Sequence, residues 1–168
     1  MALRNLFYEE DEILRKKAKP VTEINEKTIQ LIEDMFETME ENNGVGLAAP
    51  QVGMLKSIIV IDFSNEKSEE AEEAGEEKKE EIKKYELINP VLIESEGEKE
   101  GSEGCLSIPG KTGKVIRPEK VKIKAYNRFG EEITVEGEGL LARILCHELD
   151  HLNGILYTDI ASEVKEIE

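Results

Sequence analysis

His147-Glu148-Leu149-Asp150-His151 decides how this chain is read. The five residues lie in a segment, Leu140 to Leu152, where Leu141, Ile144, Leu145 and Leu152 recur at helical spacing and Asn153-Gly154 ends the pattern. An α-helix turns ~100° per residue, so His151 returns to within ~40° of His147 and both imidazoles leave one face. Two histidines so placed can meet one metal ion. Glu148 projects ~60° from His151, close enough to reach a water at the metal without being a ligand.

Working outward, these are the only two histidines among 168 residues. A catalytic metal site usually takes three protein ligands and keeps one position open. The third ligand must therefore be Cys, Asp or Glu. Tyr157 stands where the extended zincin pattern has its third histidine. Glu163, Glu166 and Glu168 fall in a short charged tail with no predicted helix to hold them. Cys146 adjoins His147 and points ~100° away from it. Cys105, in Glu103-Gly104-Cys105-Leu106-Ser107, is the best-placed donor, and Gly104 permits close backbone approach. A buried free thiol and a disulfide with Cys146 are the other readings of Cys105, and a reducing compartment argues against the second.

The rest of the composition sets bounds. Acidic side chains number 38 against 22 basic ones, a net charge of -16. Such a surface excludes general nucleic-acid binding and docking on anionic membranes, both of which need Lys/Arg. Two cysteines cannot build a disulfide scaffold. Met1 to Pro20 contains no apolar run and carries Glu9, Glu10, Asp11 and Glu12, unlike a targeting segment. No stretch approaches the ~18–20 apolar residues of a membrane span. A cytoplasmic protein with one domain over residues 1–168 is expected.

Along the chain, Asp11 caps a predicted short helix over Glu12–Ala18. A second helix is predicted from Asn25 to Asn43, with Ile32, Met35, Phe36 and Met39 on its core face. Gly44 to Gly53 reads as a loop of small residues. Strands are predicted at Ser57–Asp62, Glu86–Glu94, Val121–Tyr126 and Glu131–Glu136, the last two joined by a turn at Asn127–Gly130. Residues 66–84 hold nine Glu and five Lys and read as a solvated loop or an exposed helical excursion. The fold class is α+β, mostly antiparallel strands packed around the central HExxH helix.

Gly44-Val45-Gly46-Leu47-Ala48-Ala49-Pro50-Gln51, Glu103-Gly104-Cys105-Leu106-Ser107 and His147-Glu148-Leu149-Asp150-His151 together resemble the three motifs of the peptide deformylases, in order and at suitable spacing. The resemblance covers nearly the whole chain. It implies hydrolysis of the formyl group from the N-terminal formyl-methionine of new polypeptides, releasing formate. It implies Fe2+ as native metal, held by Cys105, His147 and His151, with Zn2+, Ni2+ or Co2+ able to substitute. Glu148 is implied as general base and then acid. Stabilisation of the formyl oxygen falls to the Gln51 side-chain amide, the Leu106 backbone N–H and the metal. The backbones of Val45 and Gly46 would pair with substrate, beside Gly104, and Ile144 would line the methionine pocket. Asp150 is expected to orient the helix, with Arg117 as its partner.

Three features depart from the family pattern. Cys146 stands where Gln is usual, segment 66–84 is an expanded loop, and the chain runs only 17 residues past His151. With Lys165 the only basic residue in that tail, direct ribosome docking through a C-terminal helix is not expected, although the substrates are N-formylmethionyl nascent peptides. Two other readings of the same residues are a metalloendopeptidase and a noncatalytic metal or thiol sensor.

Overall fold

The computed structural model describes residues 3–63 and 84–167. The Glu/Lys segment therefore lies outside the described residues except for Lys84. Eight strands are described: β1 Gly46–Ala48, β2 Ile58–Asp62, β3 Lys84–Glu96, β4 Lys99–Cys105, β5 Ile108–Arg117, β6 Lys120–Tyr126, β7 Glu132–Glu138 and β8 Glu163–Glu166. The helices are α1 Glu26–Glu41, α2 Leu140–Leu152 and a single turn, α3, at Tyr157–Ile160. Every named strand pair is antiparallel. One sheet has the order β1-β2-β3-β6-β7 and the other β4-β5-β8. Among the described residues, no helix is long and apolar enough to cross a membrane.

The apolar pattern of β2 explains the layering. Side chains alternate across a strand, so Ile58 and Val60 face one side of the sheet and Ile59 and Ile61 the other; all four are buried. The first pair packs with Leu31, Ile32, Met35 and Met39 of α1. The second packs with Ala142, Ile144 and Leu145 of α2. Helix α2 is thus buried on most of its circumference, which is why its histidines and Glu148 are interior groups. A third apolar cluster, Leu14, Ile108, Val115, Leu156 and Tyr157, fills the space beside β5.

Several expectations need correction. Only Glu12–Arg15 is helical near the N-terminus, and as a 3-10 turn, because the Asp11 carboxylate accepts the Tyr8 N–H at 2.7 Å instead of capping a helix. The supposed loop of small residues contains β1, held in register by Gly46 opposite Ile61, followed by a 3-10 turn at Ala49–Val52. Strands β4, β5 and β8 were not expected. The charged tail folds back along β5, with Thr112 opposite Lys165. Helix α1 is capped by Asn25, whose side chain accepts the Thr28 N–H at 3.1 Å.

Candidate metal centre and catalytic cleft

Strand β1 and helix α2 meet at the site. Leu47 faces α1, so Gly46 and Ala48 face α2. A Cβ added to Gly46 would sit 2.7 Å from Glu148 Oε2 and 3.0 Å from Ile144 Cγ2. Glycine at 46 is thus what allows the helix to bring Glu148 up against the strand.

Cys105 arrives from the opposite side, at the end of β4 in the hairpin with β5. Its Sγ lies 3.3 Å from His151 Nε2. One ligand atom from each of Cys105, His147 and His151 falls within 4.8 Å of the others. The donor set, one sulfur and two imidazole nitrogens, suits a borderline divalent ion. Glu148 Oε1 is buried with no hydrogen-bond partner among the described residues. A metal site with a reactant beside it fits both observations: three convergent donors and an acceptor awaiting a proton. Both cysteines are free, and Cys146 packs in the apolar cluster around α2 rather than among the donors.

Behind the donors lies a buried ionic network centred on Glu103. Its Oε1 accepts from His147 Nδ1 at 2.8 Å, which leaves His147 Nε2 for a metal. Arg117 donates to both carboxylate oxygens, at 2.8 and 2.9 Å, and Arg143 donates to Oε2 at 2.7 Å. Arg117 Nη1 also donates to Asp150 Oδ2 at 2.6 Å, so the expected partnership of those two residues is in place. Burial works against ionisation of Glu103, but Arg117 and His147 outweigh it and hold its pKa at about 2. Burial likewise opposes a charge on His147, yet hydrogen bonds to Cys105 and Glu103 lift its pKa to about 10. Burial alone dominates at Glu148, pushing its pKa up to about 7, and holds His151 well below the usual histidine range.

These groups open onto a cleft of about 470 Å³. Val45, Gly46 and Gln51 line one wall, and Gly104, Cys105 and Leu106 the other. Ile144, His147 and Glu148 close it from α2. His151 is buried beneath, reached through Cys105. The Gln51 Oε1 accepts the Ala48 N–H at 3.0 Å, while its Nε2 donates to Ser107 Oγ at 3.0 Å and toward Cys105 Sγ at 3.5 Å. Val45, Gly46, Gln51, Gly104, Cys105, Leu106, Ile144, His147 and Glu148 therefore line the cleft, with His151 beneath it. A second hollow, of about 640 Å³ over β6 and β7, is lined by surface ion pairs and gathers no such set. Sequence reasoning missed the contacts of Glu103, Arg143 and Ser107. Glu103 lay inside a quoted motif, but its partners are 14, 40 and 44 residues away and share no local pattern.

The chain is similar to known proteins over nearly its whole length. The pattern described as polypeptide deformylase matches residues 3–166. A peptide deformylase of Thermoanaerobacter pseudethanolicus is 52% identical over 161 residues, covering 96% of this chain and 91% of its own. One from Lachnoclostridium phytofermentans is 49% identical, covering 99% of this chain and 94% of its own. The crystal structure of a peptide deformylase from Legionella pneumophila superposes with a TM-score of 0.84 at 46% identity, over 96% of this chain and 87% of that one. Another from Thermotoga maritima gives 0.84 at 36% identity, over 97% and 100%.

Proposed function

Because the chain belongs to the polypeptide deformylase family, and so removes the formyl group from the N-terminal formyl-methionine of new polypeptides with release of formate, we propose that Glu148 moves the proton in this hydrolysis while Cys105, His147 and His151 hold the metal. What supports the assignment is convergence: three donors within 4.8 Å of one another beside a buried, unpartnered Glu148 Oε1.

A bound divalent ion at these donors supplies Lewis acidity toward water and the formyl oxygen. In this reading the ion is Fe2+, with Zn2+, Ni2+ or Co2+ as substitutes. The protein's own groups do the rest. Glu148 takes a proton from the attacking water as its oxygen bonds to the formyl carbon. The C–N bond then breaks, formate leaves, and Glu148 returns the proton to the methionine nitrogen. A carboxylate whose burial raises its pKa to about 7 serves both as base and as acid near neutrality.

The formyl oxygen gains charge during attack. The Leu106 backbone N–H and the Gln51 amide are its donors, each worth ~3–4 kcal/mol where such donors have been removed elsewhere. Ala48 fixes the Gln51 carbonyl, and Ser107 takes one Nε2 hydrogen, so the hydrogen aimed near Cys105 is the one that serves the substrate. The peptide lies along β1, the edge strand of its sheet, hydrogen-bonding Val45 and Gly46, with Gly104 opposite. Ile144 contacts the methionine side chain. The work falls to a single cytoplasmic domain acting on nascent chains.

Formate release from a formyl-Met-Ala-Ser peptide, set against the unformylated peptide, tests this. Formate from the first and no cleavage of the second is expected. Cleavage of internal bonds, or no formate, would overturn the reading in favour of an endopeptidase or a noncatalytic site.

A further inference from the structure

The smaller sheet ends in an open edge. Strand β8 borders β5 on one side and, among the described residues, no strand on the other. All of its residues are exposed. Backbone groups alternate in direction along an antiparallel ladder. The Ile167 N–H donates to Gly110 O at 2.8 Å, so Glu163, Lys165 and Ile167 direct their backbone groups to β5, while Val164 and Glu166 turn theirs outward. Such a row is a template for another strand unless proline or a bulge interrupts it. Neither does so here: the register with β5 is continuous from Glu163 to Glu166, and an apolar residue, Val164, stands 42% exposed at the middle of the edge.

The side chains select the occupant. Residues 161–167 read Ala161-Ser162-Glu163-Val164-Lys165-Glu166-Ile167. Laid antiparallel to itself about Val164, this segment is complementary at every step. Val164 meets Val164 of the second copy, Glu163 meets its Lys165, Ser162 meets its Glu166, and Ala161 meets its Ile167. The backbone agrees with that register, because the outward groups of Val164 bond across the axis and Glu163 falls in a closely spaced pair with Lys165. Centring the pairing on Glu163 or on Lys165 instead sets like charges opposite each other, which is unfavourable. Within one copy Glu163 pairs with Lys114 at 3.7 Å and Lys165 at 3.4 Å, through exposed side chains whose exchange for a partner costs little. We propose that β8 is a self-association edge: two copies of this chain pair β8 with β8 about a two-fold axis at Val164, joining their three-stranded sheets into one. The net charge of -16 on each copy opposes association, so the dimer needs salt to screen it.

Sedimentation velocity of the full-length protein, from ~0.01 to ~1 mM at ~0.15 M salt, covers the range of a short, weak interface. The parent should pass from monomer to dimer across it. Lys165→Glu and Glu163→Lys each set like charges across the axis and should each weaken association by about tenfold or more. An equimolar mixture of the two variants should form the dimer again, since each copy then meets the opposite charge. Val164→Pro removes an outward N–H and leaves the bonds to β5, and should also give monomer, with thermal melts showing that each variant is folded. A parent that stays monomeric over the whole range would overturn the proposal. So would association unchanged in the single variants, or a mixture of folded variants that associates no better than its components.

Discussion

Glu103 Oε1 accepts the Nδ1 hydrogen of His147 at 2.8 Å, joining β4 to α2 across 44 residues of sequence. The same carboxylate is clamped by Arg117 and Arg143. One buried anion thereby orients the His147 imidazole and pairs with the buried Arg117, which Asp150 shares, and the half-buried Arg143. Glu103→Gln leaves those cations under-compensated, a loss of ~3–5 kcal/mol for a broken buried pair. Metal affinity should fall by about 10–100-fold, as it does when a ligand's supporting carboxylate is lost. Denaturant melts and a metal titration of the variant check both.

The same group sets an acid limit. Its folded pKa of about 2 lies below the ordinary 4.5, so its contribution to stability is complete above pH 4.5 and is lost as pH falls toward 2. The parent should lose stability steeply over that window. Glu103→Gln should be less stable throughout and show a shallower slope there, measured by thermal melts across the pH series.

Cys105→Ser replaces the soft sulfur donor by a hydroxyl. With no third histidine or unassigned donor in the described cluster, bound metal should drop well below one per chain, and formate release should fall with it. Metal analysis after gel filtration gives the answer.

Gly46→Ala places a methyl 2.7 Å from Glu148 Oε2 and 3.1 Å from its Cγ. The carboxylate must move, while the backbone edge that holds substrate stays in place. A kcat loss on the order of 10²-fold is expected for a misplacement of about 1 Å, with KM changed much less. Steady-state kinetics at matched metal content separate the two.

The dependence of rate on pH follows from the same carboxylate. Burial raises the Glu148 pKa from 4.5 to about 7, and a neighbouring cation favours the ionised form, so the acid limb lies between those values. Because the base must be ionised, kcat/KM should rise with pH through this interval and then level. A profile that falls with rising pH across it would assign the proton transfer to another group.

Much of this was legible in the sequence, and the exceptions have physical causes. The α2 boundaries and the placing of His147 and His151 on one face were readable because period and spacing act within one helix. The alternation of Val121, Ile123 and Ala125 gave β6 in the same way. Strand β1 was missed because glycine and alanine carry no strand signal; it exists through pairing with Ile59, Val60 and Ile61 of β2. Strand β4, Lys-Glu-Gly-Ser-Glu-Gly-Cys, has no apolar alternation and is held by its hairpin with β5. The ionic network depends on contacts between distant segments, which no local pattern encodes.

The role of Glu148 is tested most directly by Glu148→Gln, with metal content and formate release measured on the same sample. The expected result is metal bound as in the parent and kcat reduced by about 10²–10⁴-fold, the range for removal of a general acid–base group. Turnover within about tenfold of the parent, with metal bound, would contradict the assignment of Glu148 as the proton carrier.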